Sequence, residues 1–185
     1  MKPLANVIGF DDAPFARTDE RAPLVGVVYA RDRLDGVLVG DVARDGDDAT
    51  ERVASLIEGS RFDAHVAGVL LQGIAFGGFN VVDAPALAAR LGRPVIVVAR
   101  RAPDLPRMHA ALTNVPNAAA KRARLDAAGP MRAMGNVFVQ VFGTDDETAA
   151  ATLALHTRHG AFPEPLRVAH LLGAAFIRGH SHGGA

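Results

Sequence analysis

Three apolar runs open this chain, and their spacing constrains the fold more than any other feature of the sequence. The runs cover residues Val7–Phe10, Leu24–Tyr29 and Val37–Val42, and short charged segments separate them. Apolar runs of strand length with short polar connections are typical of an antiparallel meander. We therefore expect a sheet that begins with three strands paired in this way.

Helices and strands alternate after the meander. Asp48, followed three positions later by Glu51, resembles a capping box and predicts a helix that ends at Gly59. The continuous apolar runs Val66–Leu71 and Pro94–Ala99 predict strands that are buried on both faces. The remaining predicted elements are helices at Ala84–Leu91, Asp104–Leu112 and Asn117–Ala128, a strand at Val137–Val141, a helix opened by a capping box at Thr144 and running to His159, and a last helix from Pro163 to Ile177.

This order of elements predicts an α/β protein of the ribonuclease H-like class. In that fold a mixed sheet, with three antiparallel strands extended by parallel strands, is flanked by helices. A dinucleotide-binding order fits less well, because the chain begins with a meander and the glycines of Gly73–Gly78 lack the fingerprint spacing. A length of 185 residues indicates a single domain that spans residues 1–185.

Composition excludes several classes of function. The chain contains no cysteine, so disulfides, thiolate catalysis and cysteine-based zinc sites are excluded. We see no leader segment and no apolar run of about 18 residues, so a cytoplasmic protein is expected. The formal net charge is zero, but residues 1–60 are acidic and residues 100–134 are basic. This asymmetry can place phosphates beside a metal site, or it can reflect ordinary solvated helix faces.

Acidic residues follow the first and third predicted strands. Asp11 and Asp12 come directly after Val7–Phe10, and Asp45 follows the third run. A rigid strand that ends in carboxylates is a common way to hold Mg²⁺, which prefers oxygen ligands, although a simple Asx turn has the same pattern. The first strand is central in this fold, so we expect Asp11 to lie near Gln72, which ends the fourth strand.

The candidate site combines carboxylates with an amide and a histidine. Two-metal nucleases hold their ions with acids at such strand ends, whereas Gln72 offers a carbonyl oxygen without a charge. His170, on the flank of the last predicted helix, can shuttle a proton, contact a phosphate or serve as a structural histidine. A metal site at His180 and His182 is a further alternative, although a glycine-rich terminus is usually frayed.

Four ordered motifs resemble the endonuclease dU family, which is related to endonuclease V and was once described only as a domain of unknown function. The motifs are Ile8–Phe15, Asp45–Glu51, Gly73–Asp83 and Pro163–His170, and the resemblance covers nearly the whole chain. The resemblance implies Mg²⁺- or Mn²⁺-dependent hydrolysis of phosphodiester bonds near uracil, hypoxanthine or other damaged bases. DNA is the implied substrate, DNA repair is the implied process, and RNA stays open as an alternative.

Endonuclease V, the more distant relative, implies roles for the matching residues. Its first-strand aspartate corresponds to Asp11 as the ligand that bridges two metals, and its metal-binding glutamate corresponds to Asp45. Gln72 stands where endonuclease V has an aspartate, which implies a neutral metal ligand or a supporting group. His170 in the last motif is expected to handle a proton or a phosphate.

Basic and aromatic positions complete the implied nucleic-acid site. Arg100 matches the strand-end lysine of endonuclease V, and both Arg100 and Arg167 are expected to face the nucleic-acid backbone. Phe79 and Asn80 lie in the glycine-rich loop, where close backbone approach to a ligand is possible. A flipped base can stack on Phe76 or Phe79, although a chain with few aromatic residues usually keeps them in its core.

Two departures from endonuclease V keep a second hypothesis open. The loss of an anionic ligand at Gln72 favours a catalytically weak or inactive member that binds nucleic acid or a protein. Asp12, Asp47 or Asp83 can restore the charge, and the sequence does not select among them, although Asp83 also suits a helix cap. The tyrosine, proline and glycine wedge that inserts into the strand has no clear match near Leu34–Gly36, which puts lesion recognition by a wedge in doubt.

Overall fold

A computed structural model describes residues 2–181, and its main feature is a large mixed sheet with helices on both faces. The strands are β1 (Asn6–Asp12), β2 (Arg21–Ala30), β3 (Arg33–Ala43), β4 (Gly68–Gln72), β5 (Ala75–Phe76), β6 (Asn80–Val81), β7 (Val95–Ala99), β8 (Arg132–Met134) and β9 (Val137–Phe142). The helices are α1 (Ala49–Glu58), α2 (Ala84–Leu91), α3 (Leu105–Ala111), α4 (Ala118–Ala128), α5 (Asp146–His156) and α6 (Glu164–Arg178).

The main sheet confirms the predicted fold class. Its strands run in the order β3-β2-β1-β4-β7-β9-β8. The meander β1 to β3 is antiparallel, and β4 and β7 extend it in parallel. β9 runs antiparallel to β7, and β8 runs antiparallel to β9 at the far edge. The sequence did not predict this arrangement. β1 is therefore an inner strand, and its carboxyl end lies beside that of β4.

Two apolar layers cover the two faces of the sheet. One layer contains Phe10, Val53, Leu71 and Leu87, and the other contains Val7, Leu70, Leu153 and Leu166. Each such side chain contributes about 1.5 to 3 kcal/mol relative to an exposed position. Gly9 lets α6 pack directly on β1, because a Cβ atom there would lie 2.8 Å from Pro165. This close approach sets α6 alongside β1 and carries His170 toward the end of that strand.

The capping box predicted at α1 is wrong. Asp48 precedes the helix, but its carboxylate accepts a hydrogen bond from the Ala43 amide at 3.0 Å and caps no helical amide. Glu51 instead forms an ion pair with Arg90 of α2. Tertiary partners therefore replace the local ones, as is common for short polar side chains near helix ends.

Other differences lie at element ends and in very short strands. α5 is capped by Asp145, whose carboxylate accepts the Thr148 amide at 2.7 Å, and not by the predicted Thr144. That helix ends at His156 and does not continue to His159. The hairpin of β5 and β6 and the edge strand β8 are too short to show an apolar period. Within residues 2–181, no helix has the length and apolar character needed to cross a membrane.

Candidate active site

The carboxyl ends of β1 and β4 border an open cleft. Phe10 pairs with Leu71 in the parallel register of these strands, so the next residues, Asp11 and Gln72, emerge side by side. Strand alternation directs both toward α6 and directs Asp12 toward the opposite face. The cleft has a volume of about 400 Å³ and is lined by Asp11, Asp12, Ala13, Pro14, Phe15, Gln72, His170 and Arg178.

Asp11 and His170 are joined at this cleft. His170 Nδ1 lies 2.8 Å from Asp11 Oδ2, and the contact becomes an ion pair when the imidazole is protonated. Burial raises the pKa of Asp11, and the imidazole opposes that shift. The Asp11 carboxylate in turn raises the pKa of His170. The pair therefore retains a proton to a higher pH than a free histidine does.

Asp12 is held by the glycine-rich loop between β5 and β6. The Gly77 N–H group donates a hydrogen bond to Asp12 Oδ2 at 2.8 Å. Burial and, to a smaller extent, the nearby charge of Asp11 raise the pKa of Asp12 to about 6, although the Gly77 bond acts in the other direction. Two carboxylates that repel each other in a partly desolvated cleft favour the binding of a cation.

Gln72 presents an amide oxygen that lacks a partner. Its Oε1 atom is buried, and no residue of the described range 2–181 donates a hydrogen bond to it. Leaving a buried polar atom unpaired costs roughly 1 to 3 kcal/mol, and such an exception calls for an explanation such as an ion or a ligand. Asp11, Asp12 and Gln72 all line the cleft, and carboxylate and amide oxygens are the ligand types that Mg²⁺ and Mn²⁺ prefer.

The donor set is sparse for a metal centre. Across residues 2–181, no group of three histidine, aspartate or glutamate side chains that could hold a metal ion is present. A cation in the cleft would therefore depend on the amide of Gln72 and on water or substrate oxygens, as Mg²⁺ commonly does. The alternative tail site pairs His180 with His182, and His182 lies outside the described residues.

Asp45 supports the glycine-rich loop and is absent from the lining of the cleft given above. Its φ of 50° lies in the left-handed region, and its amide donates to Gly77 O at 2.8 Å. Asp45 Oδ1 accepts the Phe79 N–H at 2.8 Å. Gly78 leaves room for this carboxylate, since a Cβ atom there would lie 2.4 Å from Asp45 Oδ1. The role of Asp45 as a metal ligand stays a prediction, and it would require the carboxylate to leave the Phe79 amide.

Arg178 lines the cleft and Arg100 acts on its histidine, and the sequence singled out only Arg100. Arg100 follows β7 and stacks on the Phe162 ring, with 4.9 Å between the guanidinium carbon and the ring centroid. Its charge lowers the pKa of His170, against the larger effect of Asp11. Arg178, at the end of α6, lines the cleft and makes no ion pair with any of residues 2–181.

Arg167 does not reach the cleft in this structure. Its guanidinium forms a two-pronged ion pair with Glu164 of the same helix, with nitrogen to oxygen distances of 2.6 and 3.0 Å. Arg167 also lies near Tyr29, which pairs with Val7 at the opposite end of β1 from Asp11. The contact of Arg167 with nucleic-acid phosphates stays a prediction, and it would require the guanidinium to leave Glu164.

Asn80 is a structural residue, which corrects its predicted contact with nucleic acid. Its side chain is fully buried. Oδ1 accepts the Ala49 N–H at 2.9 Å, while Nδ2 donates to Ala43 O at 2.9 Å and to Asp48 Oδ1 at 2.6 Å. Asn80 therefore uses its amide to fasten the turn between β3 and α1, and it leaves no group for a substrate.

The aromatic candidates differ in accessibility. Phe76 is fully buried in the core, so it cannot stack on a flipped base. Phe79 is half-buried against the same core and keeps part of its ring exposed. Phe15, which the sequence did not single out, is half-buried and lines the cleft directly. Of these three rings, Phe15 and Phe79 therefore keep a possible stacking role.

Of the three acids that the sequence leaves open, Asp12 is the one that lines the cleft. Asp83 caps α2, where its carboxylate accepts the Ala86 N–H at 3.0 Å. Asp47 points to α4, where its carboxylate contacts Asn117, Lys121 and Arg124. Asp47 belongs to the acidic segment 1–60, and its two cationic partners belong to the basic segment 100–134. Part of the charge difference between these segments is therefore neutralised within the fold.

The sequence carries a family signature over nearly its whole length. The family described as Endonuclease dU matches residues 3–177. The chain belongs to this family. A UPF0215 protein of Deinococcus radiodurans is 45% identical to this Endonuclease dU-family chain over 184 residues, which are 97% of the chain and 93% of the relative. A UPF0215 protein of Methanothermobacter thermautotrophicus is 38% identical over 191 residues, which are 100% of the chain and 94% of that relative.

Solved structures agree with this assignment at the level of the fold. A protein of unknown function from Archaeoglobus fulgidus has a TM-score of 0.88 at 31% identity, covering 94% of the Endonuclease dU-family chain and 98% of its own. The catalytic domain of human endonuclease V has a TM-score of 0.62 at 14% identity, with coverages of 95% and 83%. Endonuclease V of Ciona intestinalis, in complex with a DNA that contains an inosine, has a TM-score of 0.59 at 18% identity, with coverages of 89% and 82%. The last two similarities show a shared fold.

Proposed function

We propose that this protein is a divalent-metal-dependent endonuclease that hydrolyses phosphodiester bonds in DNA near deaminated bases. The observation that carries the proposal is the meeting of Asp11, Asp12, Gln72 and His170 in one open cleft at the ends of β1 and β4. Family membership and the endonuclease V-like fold support nuclease chemistry.

The oxygens of Asp11, Asp12 and Gln72 would hold the cation. A bound divalent ion stabilises the negative charge that develops on the phosphoryl group and makes a nucleophile available at neutral pH. The unpaired Oε1 atom of Gln72 supports this assignment, because a cation would satisfy an atom that the protein leaves buried and unpartnered. Asp45 stays a proposed second ligand.

His170 is suited to proton transfer or to phosphate binding. Asp11 accepts a hydrogen bond from His170 Nδ1 and orients the ring, so Nε2 is the nitrogen available to a substrate. The raised pKa of His170 favours the protonated form, which can donate a proton to a leaving oxygen or bind a phosphate. Arg100 and Arg178 supply positive charge at the same cleft for the phosphates of the strand.

The proposed substrate follows from the structural neighbours. The Ciona enzyme was seen with a DNA containing an inosine followed by a ribo-adenosine, which is consistent with deaminated DNA and leaves RNA as an alternative. The open shape of the cleft suits a strand that runs across the surface, and a partly exposed ring at Phe15 offers a face for an unstacked base.

The test is a cleavage assay on labelled single- and double-stranded oligonucleotides. Substrates carry a central uracil, a central hypoxanthine or no lesion, and matched RNA strands serve as a separate arm. We expect cleavage with Mn²⁺ or Mg²⁺ and none with EDTA. Asp11→Ala should lower the rate by about 100-fold or more, whereas Asp126→Ala, which removes an exposed carboxylate of α4, should leave it unchanged. Metal-independent cleavage, or equal rates in the Asp11 variant, would contradict the proposal.

A second candidate function is a non-catalytic nucleic-acid-binding protein of the same fold. The neutral Gln72 favours it, as does the lack of a group of three acidic or histidine ligands within residues 2–181. Fluorescence anisotropy with labelled DNA separates the two functions. A pure binding protein should bind DNA equally well in EDTA and in Mn²⁺, and calorimetry should then detect no metal binding that depends on Asp11.

A further inference from the structure

Lys121 is a buried cation outside the cleft, and the sequence gave it no role beyond a charge on a helix. It lies on α4, and its side chain is fully buried. Its ammonium group donates hydrogen bonds to Asp45 O at 3.0 Å and to Pro116 O at 2.6 Å, and it lies 3.3 Å from Asp47 Oδ1. Burying an ammonium group is costly unless its donors are satisfied, so this environment is built around the charge.

The contact with Asp45 continues through the glycine-rich loop to the cleft. The Asp45 amide donates to Gly77 O, and Asp45 Oδ1 accepts the Phe79 N–H, each at 2.8 Å. The Gly77 N–H in turn donates to Asp12 Oδ2 at 2.8 Å. A continuous set of hydrogen bonds therefore joins the ammonium of Lys121 to the carboxylate of Asp12.

We infer that Lys121 is a positioning residue that holds the Asp45 turn and, through the Gly77–Phe79 loop, orients Asp12 for metal binding. The inference rests on the proposed function for its metal-binding part. Its structural part, the coupling of Lys121 to the loop, does not depend on any activity. Asp45 does not line the cleft, but it has a role in this arrangement. Its backbone and carboxylate connect Lys121 to the Gly77–Phe79 loop.

The geometry explains why a lysine occupies this position. The two carbonyl oxygens and the carboxylate are compact acceptors around one point, which suits a single ammonium with three donors. Asp45 needs external support, because its φ of 50° is unfavourable for a residue with a side chain. A methionine of similar length would fill the volume but would leave Asp45 O without its donor.

The first experiment is hydrogen exchange on the metal-free protein. We compare Lys121→Met with Leu125→Ala, a matched control that removes a buried side chain from the same helix but no hydrogen bond to Asp45. In Lys121→Met, the amides of Gly77 and Phe79 should exchange about tenfold faster or more, because Asp45, which bonds Gly77 O and accepts the Phe79 N–H, loses its support. In Leu125→Ala these two amides should keep wild-type protection after correction for global stability. Equal acceleration in both variants would overturn the inference.

The second experiment measures Mn²⁺ affinity by calorimetry on the same proteins. Lys121→Met should weaken Mn²⁺ binding by about tenfold, in the range seen for groups that orient metal ligands, and Leu125→Ala should stay within about twofold. If the wild-type protein binds Mn²⁺ and Lys121→Met binds it equally well, the positioning role is overturned. If the wild-type chain binds no Mn²⁺, the proposed function fails, and hydrogen exchange alone decides whether Lys121 controls the loop.

A third variant covers the case in which Lys121→Met does not fold. Lys121→Gln keeps a hydrogen-bond donor without the charge. It should give intermediate exchange at Gly77 and Phe79 and an intermediate loss of Mn²⁺ affinity. Wild-type values for both measurements in Lys121→Gln would show that the ammonium does not position the loop.

Discussion

His170 Nδ1 lies 2.8 Å from Asp11 Oδ2, although the two residues are 159 positions apart in the chain. β1 carries the carboxylate and α6 carries the imidazole, and the packing of α6 on Gly9 brings them together. The contact makes the protonation of His170 depend on Asp11, and this dependence can be measured without a substrate.

Asp11→Asn should lower the pKa of His170 toward the ordinary histidine value. The carboxylate is the largest cause of the raised pKa, and an asparagine retains the size of the side chain but removes the charge. In the wild type, the stability contributed by this pair is fully present below the ordinary histidine pKa of about 6.5 and is lost as pH rises through the raised value. NMR titration of the His170 ring protons in both proteins measures the shift. An unchanged His170 titration would contradict the pairing.

Asp12→Asn should stabilise the metal-free protein at neutral pH. The pKa of Asp12 is raised to about 6, so the stability gained from protonating it is present below pH 3.8 and is lost as pH rises through about 6. An asparagine carries no charge and can still accept the Gly77 N–H. We expect a gain of about 1 to 3 kcal/mol at pH 7.5, measured by denaturant unfolding in EDTA. The gain should shrink toward pH 4.

The control for Asp12→Asn is Glu20→Gln, which removes an exposed charge that does not line the cleft. It should change stability by less than about 0.5 kcal/mol at either pH. If Asp12→Asn is no more stable than the wild type at pH 7.5, then burial and the Asp11 charge do not destabilise the ionised form of Asp12.

Gln72→Asp should strengthen metal binding and weaken the metal-free fold. A third carboxylate beside Asp11 and Asp12 adds attraction for a cation and repulsion in its absence. We expect Mn²⁺ affinity, measured by calorimetry, to rise by about tenfold or more, with a lower melting temperature in EDTA. Gln72→Leu is the matched variant, since it removes the unpaired oxygen and should weaken Mn²⁺ binding without loss of stability. Equal affinity in all three proteins would exclude Gln72 from the metal site.

Asn80→Ala should act on stability and not selectively on DNA binding. The change leaves the Ala49 N–H and Asp48 without their buried partner, which costs about 2 to 4 kcal/mol for several lost hydrogen bonds. Thermal or denaturant unfolding measures the loss, and DNA affinity is measured at a temperature where the variant is fully folded. A variant of wild-type stability with weaker DNA binding would restore the nucleic-acid role that the burial of Asn80 argues against.

The sequence predicted the sheet and most helices because the signals there are local. Apolar runs such as Val66–Leu71 and the break at Gly59 act within a few residues, and the structure confirms the elements they predict. Predictions about polar side chains were less successful. Asp48 and Glu51 show a capping pattern, yet each has a stronger partner from another part of the chain. A pattern cannot reveal such competition, because the competing groups are distant in sequence.

The sequence by itself determined the order of the longer helices and strands, the family, and the presence of acids at the ends of β1 and β3. Only the tertiary structure decided which side chains face the cleft. It brought Asp12 and Arg178 there, left Asp45 behind the loop, and turned Arg167 to Glu164. The physical reason is that an apolar period specifies which face of an element is buried, whereas the partner of a charged or polar group depends on long-range packing and on how much water each group loses.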